Sequence, residues 1–170
     1  RGLGDVYKRQ LYRDHTYRFM KLGTLTERAD MTTRILDVGA GDILKREGDF
    51  SSIDQILWAA LLETLSAKSA FRRLIGPVIE KDNVIDFIAN EKDFPRSIYY
   101  CLNETRQIIA SLPNHKETSI LLDRIRRKVR RFKSNNRKRP SLHKFISSLQ
   151  ANLTELDDEI HAKWFTRNTD

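Results

Sequence analysis

From residue 142 onward, Leu142, Ile146, Leu149, Leu153, Leu156, Ile160 and Trp164 recur at steps of three or four. On a helix that spacing gathers them into one stripe, whereas on a strand it would scatter them over both faces. A stripe of that length needs other helices to cover it, in the near-heptad manner of a bundle. The same rhythm runs through most of the chain, and β-branched alternation of the strand kind is absent. The 4 prolines and 7 glycines fall mostly between periodic stretches. The pattern predicts an all-α fold, an up-and-down helical bundle of about five to six helices.

A first helix is expected from about Leu11 to Val38, packing through Leu22, Leu25, Ala29, Thr32 and Leu36 and ended by Gly39, Gly41 and Asp42. A second should start at Ser52, with Gln55 completing a capping box, and run to Ile75 before Gly76-Pro77. Its face of Ile53, Ile56, Leu57, Ala60, Leu61, Thr64 and Leu65 is wide enough to predict a central position. A short third helix covers Asn83 to Ala89. A fourth takes Pro95 at its first position and carries Ile98, Cys101, Leu102, Thr105, Ile108, Ile109 and Leu112 before Pro113-Asn114. A fifth runs from Glu117 to about Asn135 through Leu121, Ile125, Val129 and Phe132. The last follows Pro140 with Ser141 as its cap, and residues 166–170 should fray.

With 170 residues, 39% apolar and 32% charged, the chain has the make-up of one globular domain. No stretch approaches the roughly 18 consecutive apolar residues of a membrane span, and no secretory pattern appears. Cys101 stands alone, so no internal disulfide forms and a reducing cytoplasm is expected. The start is unusual. Asp5-Val6-Tyr7-Lys8-Arg9-Gln10 resembles the translation of a transposon end used in preparing sequencing libraries, and residues 1–10 are read as a sequencing-adapter artefact. The other reading is a native helical turn leading into Leu11. On the first, real protein before Leu11 is missing, residues 11–165 are an incomplete fragment of a larger helical domain, and whether the bundle closes without the rest stays open.

The stretch Tyr17 to Val38 centres on Thr-Glu-Arg-Ala-Asp, with Glu27 and Arg28 as its charged pair. Three further stretches accompany it: Trp58-Ala59-Ala60-Leu61-Leu62, Asp93-Phe94-Pro95-Arg96-Ser97-Ile98 and Ile160-His161-Ala162-Lys163-Trp164-Phe165. Together they resemble the alpha-E family, a bacterial helical domain named for its Glu-Arg motif, from Leu11 to about Phe165. The resemblance implies longer relatives whose C-terminal half this chain matches, the upstream half carrying a related Leu-Glu-Arg-Ala motif. It also implies gene neighbourhood or fusion with a circularly permuted ATP-grasp protein and transglutaminase-like proteins. That association points to an accessory role in ATP-driven peptide ligation or peptide modification.

On a helix, Gly23, Glu27, Met31 and Arg34 share a face. Gly23 in mid-helix costs about 1 kcal/mol relative to Ala, which implies close helix approach or room for a partner. Glu27 and Arg28 point about 100° apart and do not pair with each other. Arg28 can reach Thr24 or Thr32; Glu27 can face Arg34, or Arg72, Arg73 or Arg96 on another helix. One reading makes these charges ion pairs that orient helices, where loss of one partner costs ~3–5 kcal/mol. A second makes Glu27, Arg28, Asp30, Arg34 and Arg96 a polar pocket in which an arginine clamps a carboxylate or phosphate. A third, catalysis involving Glu27, finds no companion residues in the sequence.

Arg124 to Pro140 holds ten basic residues and no acidic one, more than the net charge of +8 for the whole chain. Arg124, Arg126, Arg127, Lys128, Arg130, Arg131 and Lys133 form its candidate basic surface, able to neutralise phosphates. Half of that helix must nevertheless pack, and Phe132 is its only aromatic, which weighs against base stacking. Glu155, Asp157, Asp158 and Glu159 offer an internal or intermolecular partner, and the run can equally be a solvated face or a dock for an acidic protein. His15, His115, His143 and His161 lie on separate segments without a zinc spacing, so no metal and no cofactor is expected. Cys101 reads as a buried structural thiol. Gly39-Ala40-Gly41-Asp42 mimics a phosphate or methyltransferase loop but follows a helix where such a loop follows a strand.

The reading that results is a non-catalytic helical partner of an ATP-grasp ligase or of its peptide substrate. The alternative is nucleic-acid binding through Arg124–Arg139.

Overall fold

The periodic stretches do become helices. The computed structural model describes residues 15–44, 51–134 and 141–165. Among them are seven helices and no strand: α1 (His15–Leu44), α2 (Ser51–Thr64), α3 (Lys68–Leu74), α4 (Lys81–Asn90), α5 (Ile98–Ile109), α6 (Lys116–Arg131) and α7 (Leu142–Trp164). The expected artefact at residues 1–10, the start at Leu11, the hydroxyl of Ser52, the end at Asn135, Arg137 to Arg139 and the tail at 166–170 lie outside what is described.

Four helices close a ring, α1 on α5, α5 on α6, α6 on α7 and α7 back on α1. Each neighbouring pair is antiparallel, as the contacts between them require. Arg18 reaches the carbonyl of Ser111 and Lys21 reaches Glu104. Arg106 meets Asp123 while Asn103 meets Arg126. Glu117 pairs with Lys163 and Arg124 with Glu155. Phe19 packs on Trp164 at one end of α1, and Asp37 meets His143 at the other. The interior is aliphatic: Leu22, Leu25, Ala29 and Leu36 of α1 face Ile98, Leu102 and Ile109 of α5, Leu122, Ile125 and Val129 of α6, and Ile146, Leu149 and Leu156 of α7, all buried. The stripes expected on α1, α5 and α7 are the ones that pack.

Several details differ from the expectation. α1 does not end at Gly39; it continues to Leu44 with Ala40 and Ile43 buried. The reason is steric: a Cβ on Gly39 would lie 2.6 Å from Cδ1 of Leu61, so the glycine lets α2 approach α1 and is not a cap. Gly23, expected to be the close-approach glycine, has no neighbour within 4 Å of its would-be Cβ. The second expected helix is two, α2 and α3. Ser66 adopts the left-handed conformation (φ 54°), the Ser66 N–H bonds the Glu63 carbonyl at 2.8 Å and the Ala67 N–H bonds Leu62 at 2.7 Å. These two bonds make a Schellman cap without its usual glycine. α2 is also peripheral, since Trp58, Leu61, Leu62 and Leu65 are buried while Ile53 and Ile56 are exposed. A stretch apolar almost all round permits either choice of face. Finally, α5 starts at Ile98, not Pro95, because the Ser97 side chain accepts the Tyr100 N–H at 3.0 Å. The caps expected at Ser141 and the stop at Gly76 stand.

These two glycines should respond in opposite senses to alanine. Gly23→Ala should raise stability by about 0.5–1 kcal/mol, the ordinary gain for a mid-helix glycine. Gly39→Ala should lower it by about 1 kcal/mol, because forcing the buried Leu61 aside outweighs that gain. Urea denaturation followed by circular dichroism reads both.

Candidate functional site

The motif residues divide between two sides of α1. Toward α5, the Arg28 guanidinium donates to the Pro95 carbonyl at 3.3 Å and the buried Thr32 hydroxyl donates to the Arg96 carbonyl at 3.0 Å. The Cys101 thiol sits 3.5 Å from the same Pro95 oxygen, and the Ser97 hydroxyl donates to the Glu91 carbonyl. The turn between α4 and α5 is thereby tied down on both flanks. Phe94 and Ser97 are buried in it, and Phe94 stacks on Phe87 at 5.1 Å. Arg28 thus meets a backbone carbonyl where the spacing offered Thr24 or Thr32. The Arg96 side chain is exposed, and it is its backbone that α1 holds.

Toward α7 lies an open groove of about 360 Å³ lined by Gly23, Thr26, Glu27, Asp30 and Arg34 of α1 and by Leu153, Thr154 and Asp157 of α7. Arg34 pairs with Asp30 at 2.7 Å, one turn away, and not with Glu27. The hydrogen bond and charge of Asp30 raise the pKa of Arg34 further above its ordinary value, so it stays cationic. Among the described residues Glu27 makes no hydrogen bond or ion pair, and its carboxylate is exposed to the groove. Of the five candidate residues, Glu27, Asp30 and Arg34 share the groove, while Arg28 and Arg96 belong to the turn. The groove carries three carboxylates against one guanidinium already paired.

Of the seven described basic residues of the run, four bond within the bundle. Arg124 grips Glu155 through two bonds of 2.8 and 3.0 Å. Lys128 donates to Ser148 and, at 2.7 Å, to Asn152 on α7. Burial, and then the charge of Arg124, lowers its pKa from the ordinary lysine value. Lys133 lies 3.6 Å from Asp86. Arg126 bonds Asp123 at 2.8 Å and Asn103 at 2.7 Å. Partial burial pushes the Asp123 carboxyl up, but hydrogen bonds and charges from Arg126 and Arg106 outweigh it, and its pKa falls below the usual value. Arg127, Arg130 and Arg131 remain on the surface beside Tyr99.

Two features were missed in the sequence. Tyr99, distant in the chain, comes to lie under the arginines of α6, with the Arg130 guanidinium 4.8 Å above its ring. On α4, Asp82, Asp86 and Asn90 at four-residue spacing hold the chain leaving α6: Asn90 donates to Phe132 at 3.1 Å, Asp86 accepts the Ser134 N–H at 2.9 Å, and the Asp82 carbonyl accepts the Ser134 hydroxyl at 3.2 Å. The i, i+4, i+8 spacing was a visible signal; the partner segment was not. Cys101 is fully buried, and His161 stacks on Phe165 at 5.6 Å. Among the described residues no helix is long and apolar enough to cross a membrane.

Compared with known families, residues 3–165 match the model of Alpha-E, a predicted alpha-helical domain with a conserved ER motif. The sequence contains a single Glu-Arg dipeptide, Glu27-Arg28. No curated protein and no solved structure matches the chain.

The buried thiol makes stability depend on pH in a way that can be measured. Burial raises the pKa of Cys101 from 9.0 to about 11, so the folded chain keeps the proton where the unfolded chain releases it. Stability contributed by this group is therefore intact below pH 9 and is lost between about pH 9 and 11. Wild type should lose on the order of 2 kcal/mol across that window relative to Cys101→Ala, read as the difference between their urea midpoints at each pH. A constant difference would show a thiol that ionises normally.

Proposed function

The chain belongs to the Alpha-E family, and on that premise we propose that it is a non-catalytic docking partner in a bacterial cytoplasmic peptide-ligation or peptide-modification system built on a circularly permuted ATP-grasp protein and a transglutaminase-like protein. The resemblance of the motifs supplies the association. The observation that carries the docking role is the division of the Glu-Arg motif: Arg28 is occupied by the Pro95 carbonyl, whereas Glu27 faces an open groove. A residue that served only to orient helices would be paired inside the bundle. With Glu27, Asp30 and Asp157 on its walls, the groove favours a segment bearing a lysine, an arginine or a free amine. Its openness suits a peptide or a protein loop more than a small enclosed substrate.

Association with a circularly permuted ATP-grasp protein should be saturable in the micromolar range when followed by calorimetry or co-purification. Glu27→Ala should weaken it about tenfold or more while leaving the melting temperature within a degree or two, since only a groove contact is removed. Arg28→Ala should instead lower stability by about 1 kcal/mol through loss of the turn contact. Binding that ignores Glu27→Ala in a folded variant counts against the groove, and absence of any association counts against the docking role.

A further inference from the structure

We propose that Arg127, Arg130 and Arg131, supported by Arg126, form a binding site for a compact ligand carrying two or three adjacent phosphates. The site lies across α5 and α6, on different helices from the Glu27 groove. Positions 127, 130 and 131 are spaced so that their side chains leave α6 on one side. With Tyr99, Asp123 and Arg126 they line a depression of about 260 Å³.

Two of the four guanidinium groups are positioned in advance. Arg126 is held by Asp123, Asn103 and the Tyr99 hydroxyl, the last at 3.5 Å. Arg130 rests over the Tyr99 ring at 4.8 Å, with Arg126 at 5.7 Å from the same ring. Arg127 and Arg131 are exposed and make no hydrogen bond or ion pair among the described residues. Among the described residues that line the depression, Asp123 alone offers negative charge, and it is already shared between Arg106 and Arg126. The carbonyls at the end of α6 favour cations there, which accounts for one or two basic residues in the last turn. They do not account for four arginines gathered around one tyrosine. An oxyanion would relieve the repulsion among them through paired N–H donors.

The dimensions select the ligand. From 127 to 131 the helix rises about 6 Å, the span of two or three linked phosphates and far less than the six to ten contacts of a duplex-binding surface. Among the described residues, the basic side chains that would lengthen the patch along α6 are directed elsewhere, Arg124 and Lys128 onto α7 and Lys133 onto Asp86. Tyr99 is already engaged by arginine, so recognition falls to charge and not to base stacking.

Calorimetric titration of the chain with inorganic triphosphate, pyrophosphate, orthophosphate and a duplex of about 20 base pairs tests this. Triphosphate and pyrophosphate should bind, with orthophosphate about tenfold weaker or worse. The double variant Arg127→Gln/Arg131→Gln should lose triphosphate affinity by about thirtyfold, with an unchanged circular dichroism spectrum and melting temperature. Arg73→Gln, at an exposed arginine of α3, should bind as wild type does. Three results would overturn the proposal: no heat with millimolar triphosphate, undiminished affinity in the double variant, or a duplex that binds more tightly than triphosphate.

Discussion

Thr32 and Thr33 sit side by side in α1, both buried, and through them one helix is keyed to two neighbours at once. Thr32 donates to the Arg96 carbonyl in the turn before α5, while the Thr33 hydroxyl donates to the Asp30 carbonyl at 2.6 Å and lies 3.4 Å from the amide of Gln150 on α7. Apolar contact alone would let helices slide by a turn at modest cost, because one aliphatic layer resembles the next. A buried hydroxyl left without its partner costs about 1–3 kcal/mol, which penalises any register that takes Thr32 away from the Arg96 carbonyl. Leu25, Ala29 and Leu36 on either side of the threonines then supply the burial that stabilises the chosen one, at about 1.5–3 kcal/mol for each fully buried leucine.

Once α1 is set, the rest follows by contact. Gly39 admits Leu61 and so seats α2, and the Schellman turn at Ser66 redirects the chain into α3. Phe71 of α3 meets Phe87 of α4 edge-on at 5.3 Å, and Phe87 in turn stacks on Phe94. That aromatic series ends in the turn which Arg28 and Thr32 hold. The far end of α6 is closed by the stack of Phe132 on Phe145 at 3.9 Å and by the polar ladder of α4. The Glu-Arg motif is therefore divided: its arginine is bonded into the turn before α5, and its glutamate lines the open groove between α1 and α7.

Most of the architecture was legible because helical periodicity is a local property. The buried stripes of α1, α5 and α7 follow from spacing alone, as do the caps at Ser141 and Gly76. What was not legible depends on neighbours. Gly39 and Gly23 look alike in sequence, and only the presence of Leu61 opposite one of them distinguishes a close approach from an open face. Ser66 takes a backbone conformation that usually signals glycine, so the break between α2 and α3 carried no mark. The candidate site was half legible. Glu27, Asp30 and Arg34 share a face by spacing, but the turn that claims Arg28 is 67 residues away, and Tyr99 reaches the basic run only through the pairing of α5 with α6.

Amide hydrogen exchange through Phe94–Ile98 tests this division most directly, comparing wild type with Glu27→Ala and Arg28→Ala. If the arginine holds the turn and the glutamate faces outward, Arg28→Ala speeds exchange in that segment several-fold and Glu27→Ala leaves it unchanged. Equal protection in all three proteins, or a loss of protection caused by Glu27→Ala, would contradict the account.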